Sequence, residues 1–129
     1  MKWDTNKRKC ADKKKLDSAI NFLDINRNNV LAVGMRNGII NFFDASSLKL
    51  IDSVFKHKNP DKDMISAIKF SPDGYKLAVA YAPPYSLTYI YDMNNLKANP
   101  KVCKGSPSRI NSIDFSRNGN SILINNTSY

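Results

Sequence analysis

Three segments of this chain repeat one another at a fixed distance. They open at Ile20, Ile65 and Ile110, so each begins 45 residues after the one before. Two further apolar positions recur at the same step: Leu23, Ile68 and Ile113, and then Ile25, Phe70 and Phe115. A repeat of this length indicates supersecondary units that cannot bury their apolar faces alone and therefore stack on one another. No other feature constrains the fold as strongly.

Each repeat reads as a succession of short β-strands joined by turns. In one repeat the period of two places Ile65, Ala67 and Lys69 on one predicted face, and Ile68 and Phe70 on the other. The sequences NRNN, SPDG and SRNG then predict tight turns, because Asn, Asp and Gly tolerate left-handed backbone. Second strands are predicted at residues 30–34 and 76–80, third strands at 39–44 and 87–92, and fourth strands near 49–55 and 101–104.

Four strands in about 45 residues are typical of one blade of a β-propeller. Trp3-Asp4 stands where the other repeats have Phe43-Asp44 and Tyr91-Asp92, at the end of a third strand. We therefore predict an all-β fold, an incomplete WD40-type β-propeller of about two and a half four-stranded antiparallel blades. The predicted parts are the tail of a blade at 1–16, full blades at 17–62 and 63–107, and the start of a blade at 108–129.

Propellers usually close with about 4–8 blades, which protects their strand edges. Two full blades and two partial ones leave both flanks of the predicted arc open. We therefore expect either that these residues belong to a longer chain or that the chain self-associates.

Less common segments accompany the repeat and appear in a characteristic order. They are KKLDSA at 14–19, LAVG at 31–34 with RNG after it, DASSLKL at 44–50, ISAIKFSPDGYKLAVA at 65–80, TYIYD at 88–92, CKGSPSRINSIDFSRNG at 103–119 and NNTSY at 125–129. In this order the whole chain resembles part of a propeller from the echinoderm microtubule-associated protein-like family. The resemblance implies a cytoskeletal protein that associates with microtubules and affects their assembly or carries other factors to them.

The chain also departs from the pattern of that family. The Gly-His pair of the family is Gly105-Ser106 here, and the full blades end in Phe-Asp and Tyr-Asp rather than Trp-Asp. The buried His–Ser–Asp–Trp network of regular WD40 blades is therefore not expected to form whole. The loop at 81–86, YAPPYS, is longer than its counterpart MRNG.

The composition favours binding over catalysis. Lys and Arg number 20 against 11 acidic residues, a net charge of +9, which suits acidic partners such as the surface of tubulin. An equally weighted interpretation is a general bias of the chain toward Lys and Asn. Nucleic acid is not the expected partner, because aromatic stacking platforms do not interleave with the basic residues. A membrane partner is not expected either, because no run of about 18 apolar residues occurs.

Catalytic, metal and cofactor sites are not predicted. His57 is the one histidine and lies among lysines in a loop, where a solvated residue is expected rather than a general base. Cys10 and Cys103 have no Cys or His cluster around them, so we interpret both as free, reduced thiols rather than as a metal site or a disulfide.

The candidate partner-binding residues lie in two classes of loop. In WD40 propellers the loops between strands four and one, and between strands two and three, share one rim. Here those loops offer Arg36, Lys56, Lys58, Lys62, Tyr81, Tyr85, Lys104 and Arg109. Basic residues beside tyrosines suit an acidic protein surface; the alternative is that these loops are polar only because they are exposed.

The favoured function is a protein-binding WD40 scaffold of the cytoplasm and cytoskeleton, associated with microtubules. The alternative is a general WD40 scaffold in another complex, such as a ciliary, nuclear or ubiquitin-ligase assembly.

Overall fold

The computed structural model describes residues 2–4, 9–12, 15–16, 19–54, 65–83, 87–104 and 108–126. Within these residues the chain forms β-strands and turns, with no helix. The strands are β1 Lys2–Asp4, β2 Lys9–Asp12, β3 Ile20–Ile25, β4 Val30–Met35, β5 Ile40–Asp44, β6 Leu50–Val54, β7 Ile65–Phe70, β8 Lys76–Tyr81, β9 Thr88–Asp92, β10 Lys101–Cys103, β11 Ile110–Phe115 and β12 Ile122–Asn126. The second, third and fourth strands predicted for the two full repeats are confirmed, with ends that differ by at most one residue.

The described strands form two four-stranded antiparallel sheets and two hairpins. Strands β3 to β6 make the first sheet in chain order, and β7 to β10 make the second. Strand β1 pairs with β2, and β11 pairs with β12. We call the two sheets the first and second blades, and the β11–β12 hairpin the third half-blade. The chain is an arc of a WD40-type β-propeller.

The larger apolar core lies between the first and second blades. The first blade contributes Ala32, Ile40, Phe42 and Val54, and the second contributes Ile65, Ile68, Phe70, Leu77, Val79, Tyr81 and Tyr91. Full burial of one such aliphatic or aromatic side chain stabilises a fold by about 1.5–3 kcal/mol. The stacking of blade on blade is therefore what holds the arc together.

A second core joins the second blade to the third half-blade. Three alanines, Ala67, Ala78 and Ala80, meet Ile110, Ile113 and Phe115. Because the alanines are small, the backbone of β8 can approach the larger side chains of β11. Between the first and second blades, by contrast, both sides contribute large apolar side chains, among them Phe42 and Phe70.

The first strand of each repeat contains a β-bulge that the alternation did not predict. The register shifts between Ile65 and Ala67, and shifts at the matching place in β3 and β11. An extra residue in a strand reverses which face the preceding side chain takes. The prediction that Ile65 shares a face with Ala67 is therefore wrong: Ile65 packs with Ile68 and Phe70 against the first blade.

The predicted turns after the first strands are confirmed. Gly74 and Gly119 adopt φ of +81° and +72°, and Asn29 takes the matching place in the first blade with φ of 64°. Asparagine is the residue that best replaces glycine in this region, because its short polar side chain bonds the local backbone. In the second turn the Ser71 hydroxyl and the Tyr75 N–H both bond Asp73, and they hold the pKa of this carboxyl below its usual range.

Polar side chains tie one blade to the next. The Asn26 amide donates to the carbonyl of Gly74 at 3.1 Å, and Lys76 Nζ donates to the carbonyl of Gly119 at 3.2 Å. Nearer the propeller axis, Asp24 Oδ2 accepts the N–H of Phe70 at 2.8 Å. The first bond joins turn to turn, the second joins the start of β8 to a turn, and the third joins β3 to β7, in a chain whose two full blades lack Trp-Asp.

Candidate partner-binding rim

The strand registers bring the two loop classes singled out by the sequence to one edge of the arc. In the second blade Ile65 lies opposite Tyr81, and Thr88 lies opposite Cys103. The first strand of each blade begins at this edge, which we call the upper rim. The opposite edge carries the tight turns at 26–29, 71–74 and 116–119, and we call it the lower rim.

Arg36 lies on the upper rim of the first blade and is exposed. A tight turn presents it, since the N–H of Gly38 donates to the carbonyl of Met35 at 3.0 Å and Gly38 has φ of +83°. The N–H of Arg36 itself donates to the carbonyl of Ala19 at 2.8 Å. The backbone beneath the guanidinium is therefore fixed, while the side chain is open to solvent.

Lys104 and Arg109 extend the same rim over the next two sheets, and both are exposed. Lys104 follows the last residue of β10, and Arg109 precedes the fully buried Ile110 at the start of β11. Because each cation directly adjoins the end of a strand, its backbone position at the edge of the sheet is defined. The structure thus sets one predicted cation on each of three successive sheets.

Tyr81 does not lie on this rim as a surface residue. Only 1% of it is exposed, and its ring meets Tyr89 edge to face at 5.5 Å inside the core. Leu77, Val79 and Tyr81 share one face of β8, so the alternation of that strand already predicted burial. The interpretation of Tyr81 as a partner-binding residue is wrong for this conformation.

The other predicted rim residues lie outside the described part of the chain. They are Lys56, Lys58, Lys62 and Tyr85. The Gly105-Ser106 pair and the side chain of Cys10 lie outside it as well, whereas Cys103 is a free, half-buried thiol.

The two rims differ in charge, and turn geometry explains the difference. Five aspartates lie toward the lower rim, and each accepts a backbone N–H: Asp24 from Phe70, Asp44 from Ser46 and Ser47, Asp73 from Tyr75, Asp92 from Asn94, and Asp114 from Phe115. In the described loops of the upper rim, at 35–39, 82–83, 104 and 108–109, no residue is acidic. The upper rim is therefore basic over the region that the structure describes.

A polar cavity of about 230 Å³ opens toward the lower rim between the three inner strands. Asp24, Lys69 and Asp114 line it and hold the same position in the three repeats, and Arg27 adds a second basic side chain to the lining. The sequence did not single it out. Its charges balance, which gives it no preference for an acidic ligand.

Among the residues that the structure describes, no group of three or more His, Cys or Asp side chains is arranged to hold a metal ion. The same residues include no helix with the length and apolar character needed to cross a bilayer.

Comparisons with known proteins agree with the fold. The chain is 28% identical over 103 residues to human echinoderm microtubule-associated protein-like 3, a match that covers 78% of this chain and 11% of that protein. Among solved structures, the β-propeller domain of Cps50 (Swd1) from Myceliophteria thermophila superposes with a TM-score of 0.71 at 14% identity, over 88% of this chain and 34% of that one. No family model matches the sequence.

The chain therefore spans a small part of the human relative and about a third of the solved propeller domain. The resemblance first seen in the order of the motifs is confirmed by the human match. This chain is part of a WD40-type β-propeller that is similar to the echinoderm microtubule-associated protein-like proteins.

Proposed function

We propose that the chain is the arc of a protein-binding scaffold whose upper rim holds an acidic protein surface, and that this surface belongs to microtubules. The observation that carries the proposal is the charge difference between the rims. Arg36, Lys104 and Arg109 are exposed on the upper rim with no described acidic neighbour in its loops, whereas the lower-rim aspartates bond backbone N–H groups.

The physical basis is electrostatic complementarity on a rigid frame. Cations held on three stacked sheets keep their spacing, so little ordering is needed when an acidic surface docks against them. Their combined field also steers a partner of opposite charge toward the rim. The proposed role is binding rather than catalysis. The proposed location is the cytoplasm, at the cytoskeleton.

The name of the human relative supports the choice of microtubules among acidic partners. The test is co-sedimentation of the 129-residue chain with assembled microtubules at salt concentrations from roughly 50 to 300 mM, because exposed charge pairs weaken as the Debye length shortens. We expect a bound fraction that falls steadily as salt rises.

Two outcomes would count against the proposal. Absence from the pellet at low salt would contradict microtubule binding, and capture by other acidic proteins in the same buffer would then favour a general scaffold. Binding that ignores salt would contradict the electrostatic mechanism. A parallel gel shift with duplex DNA measures the non-specific attraction that any basic chain shows.

A further inference from the structure

An Asn-Gly pair forms the tip of the upper-rim turn of the first blade. It belongs to the tripeptide Arg36-Asn37-Gly38, in which the N–H of Gly38 donates to the carbonyl of Met35 at 3.0 Å. The same tripeptide occurs at 117–119, in the lower-rim turn of the third half-blade, where the N–H of Gly119 donates to the carbonyl of Ser116 at 2.8 Å. One reactive dipeptide therefore occurs in two turns, one on each rim.

An asparagine that precedes a glycine can modify itself without an enzyme. The backbone nitrogen of Gly38 bonds to Cγ of Asn37 and loses its proton, the Cγ–Nδ2 bond breaks, and Nδ2 leaves with that proton as ammonia. Water then opens the cyclic succinimide at one of its two carbonyls, which leaves aspartate or isoaspartate at the position of Asn37. Glycine favours the first step, because it has no Cβ to shield its nitrogen.

The side chains of the two asparagines are held differently. Oδ1 of Asn118 accepts two hydrogen bonds, from the hydroxyl of Ser116 at 2.7 Å and from the N–H of Asn120 at 3.0 Å. Among the described residues, Oδ1 of Asn37 accepts one, from the N–H of Ile39 at 3.1 Å. The side chain must leave these partners before Cγ reaches the following nitrogen. The local opening that precedes the reaction therefore costs less at Asn37.

Neither the local sequence nor solvent exposure predicts that order. The two tripeptides are identical, so the intrinsic reactivity of their asparagines is the same. Asn118 is exposed and Asn37 is half-buried, so solvent access alone would favour conversion of Asn118. Faster conversion of Asn37 would therefore report the hydrogen bonds of its side chain.

Conversion of Asn37 also changes the charge of the upper rim. The described loops of this rim contain no acidic residue, and Asn37 adjoins the exposed Arg36. A carboxylate at this position offsets the cation and repels an acidic surface. At Asn118 the same charge joins a rim on which aspartates already lie, such as Asp73 and Asp92.

We propose that Asn37 is a self-modification site whose conversion to aspartate or isoaspartate weakens the binding of acidic proteins by the upper rim. The conversion depends on the structure of the turn alone. Its effect on binding rests on the proposed function, so the two are measured separately.

The conversion is measured without any partner. The chain is incubated at mildly alkaline pH, and peptide mapping by mass spectrometry follows the replacement of NH by O at each asparagine. In the folded chain we expect Asn37 to convert about fivefold faster than Asn118, the effect of one hydrogen bond. In concentrated urea the two rates should be equal, because the tripeptides are identical. Equal rates in the folded chain, or faster conversion of Asn118, would overturn the proposed site.

The effect on binding is measured by microtubule co-sedimentation at low salt. We expect Asn37→Asp to lose about two- to threefold in affinity, the effect of one exposed charge, and its matched control Asn118→Asp to bind as the unmodified chain does. Incubation should weaken the unmodified chain but not Asn37→Ser, which cannot form the ring. Equal affinities of the two aspartate variants would overturn the effect on the rim. Absence of binding by the unmodified chain would instead overturn the proposed function, and the conversion rates would still decide the site.

Discussion

At the scale of single residues, the use of aspartate rather than glutamate affects where the negative charges of the molecule lie. All 11 acidic residues are aspartates, and none is a glutamate. The short aspartate side chain reaches backbone N–H groups one or two residues away, which the longer glutamate does less well. Asp44, Asp73 and Asp92 all act in this way beside turns of the lower rim. The cations of the upper rim are therefore left without aspartates in the described loops that carry them.

Asp24 differs from the other aspartates, because its bond crosses to the next blade. Replacing Asp24 by Ala leaves the Phe70 N–H without its acceptor, so we expect a loss of about 1–3 kcal/mol in the free energy of unfolding. Asp114→Ala is the control, since the exposed Asp114 bonds only the N–H that follows it in the chain, and it should cost under about 0.5 kcal/mol. Urea unfolding measures both. Equal effects would show that the inter-blade bond contributes nothing.

Tyr91 gives the core a dependence on alkaline pH. Burial raises the pKa of Tyr91 from its usual value of 10.0 to about 12. The unfolded state therefore loses this proton at lower pH than the folded state. The stabilising contribution is full below pH 10 and is lost as pH rises through 12. We expect Tyr91→Phe to flatten the decline of the unfolding free energy between pH 10 and 12, measured by urea titration. An unchanged slope would contradict the assignment.

At the scale of strands and turns, the tight turns of the lower rim do two things. Each returns the chain from the first to the second strand, and the turns at 71–74 and 116–119 also present a carbonyl to the blade before them. Gly74 and Gly119 are equivalent in the repeat, and both carbonyls accept a side-chain donor from the preceding blade. The donors differ, Asn26 in one case and Lys76 in the other. The glycine carbonyl is thus the acceptor in both inter-blade bonds, whereas the donor side chain differs.

The two glycines test this element directly. Alanine at either position is strained by the positive φ, at a cost of about 1–2 kcal/mol. At Gly74 the added Cβ would also lie 2.9 Å from Asn28 Nδ2 and 3.3 Å from Asn26 Nδ2, whereas at Gly119 its nearest neighbour would be 3.8 Å away. We expect Gly74→Ala to destabilise the chain more than Gly119→Ala by about 1 kcal/mol, the worth of the weakened Asn26 bond. Thermal and urea unfolding measure the difference. Equal losses for the two variants would contradict a stabilising role of the bond from Asn26 to the Gly74 carbonyl.

At the scale of the whole molecule, stability comes from the layers between blades. Leu77 is completely buried between the first and second blades, whereas Leu50 is mostly exposed on the outer strand β6. We expect Leu77→Ala to cost about 2–5 kcal/mol in the free energy of unfolding, because it leaves a cavity. The same substitution at Leu50 should stay within about 0.5 kcal/mol. Similar losses at the two sites would mean that the blades do not stack as described.

The repeat alone predicts most of this architecture. The 45-residue step and the apolar period of two locate the strands. The turn residues locate the positive φ at Gly74 and Asn29, because turn conformation depends mainly on the local sequence. The period of two does not predict which face of the sheet Ile65 occupies, because a β-bulge between Ile65 and Ala67 adds a residue to the strand. The bond from Asn26 to Gly74 spans 48 residues, so it emerges only from blade packing.

The candidate site was predicted in part. Arg36, Lys104 and Arg109 were singled out correctly as exposed residues of one edge, because loop class determines the rim. Tyr81 was placed wrongly because it was assigned to the loop, although it continues the buried face of β8. Their part in binding a partner remains a prediction.

The central claim is that the upper rim, rather than the overall charge, binds an acidic protein surface. The most direct measurement compares two triple variants in microtubule co-sedimentation at one salt concentration: Arg36→Glu with Lys104→Glu and Arg109→Glu on the upper rim, and Arg27→Glu with Lys97→Glu and Arg117→Glu on the lower rim. All six side chains are exposed and both variants change the net charge equally. We predict that the upper-rim variant loses about tenfold or more in affinity, while the lower-rim variant stays within about twofold of the unmodified chain. Equal losses in the two variants, or no loss in the first, would contradict the account.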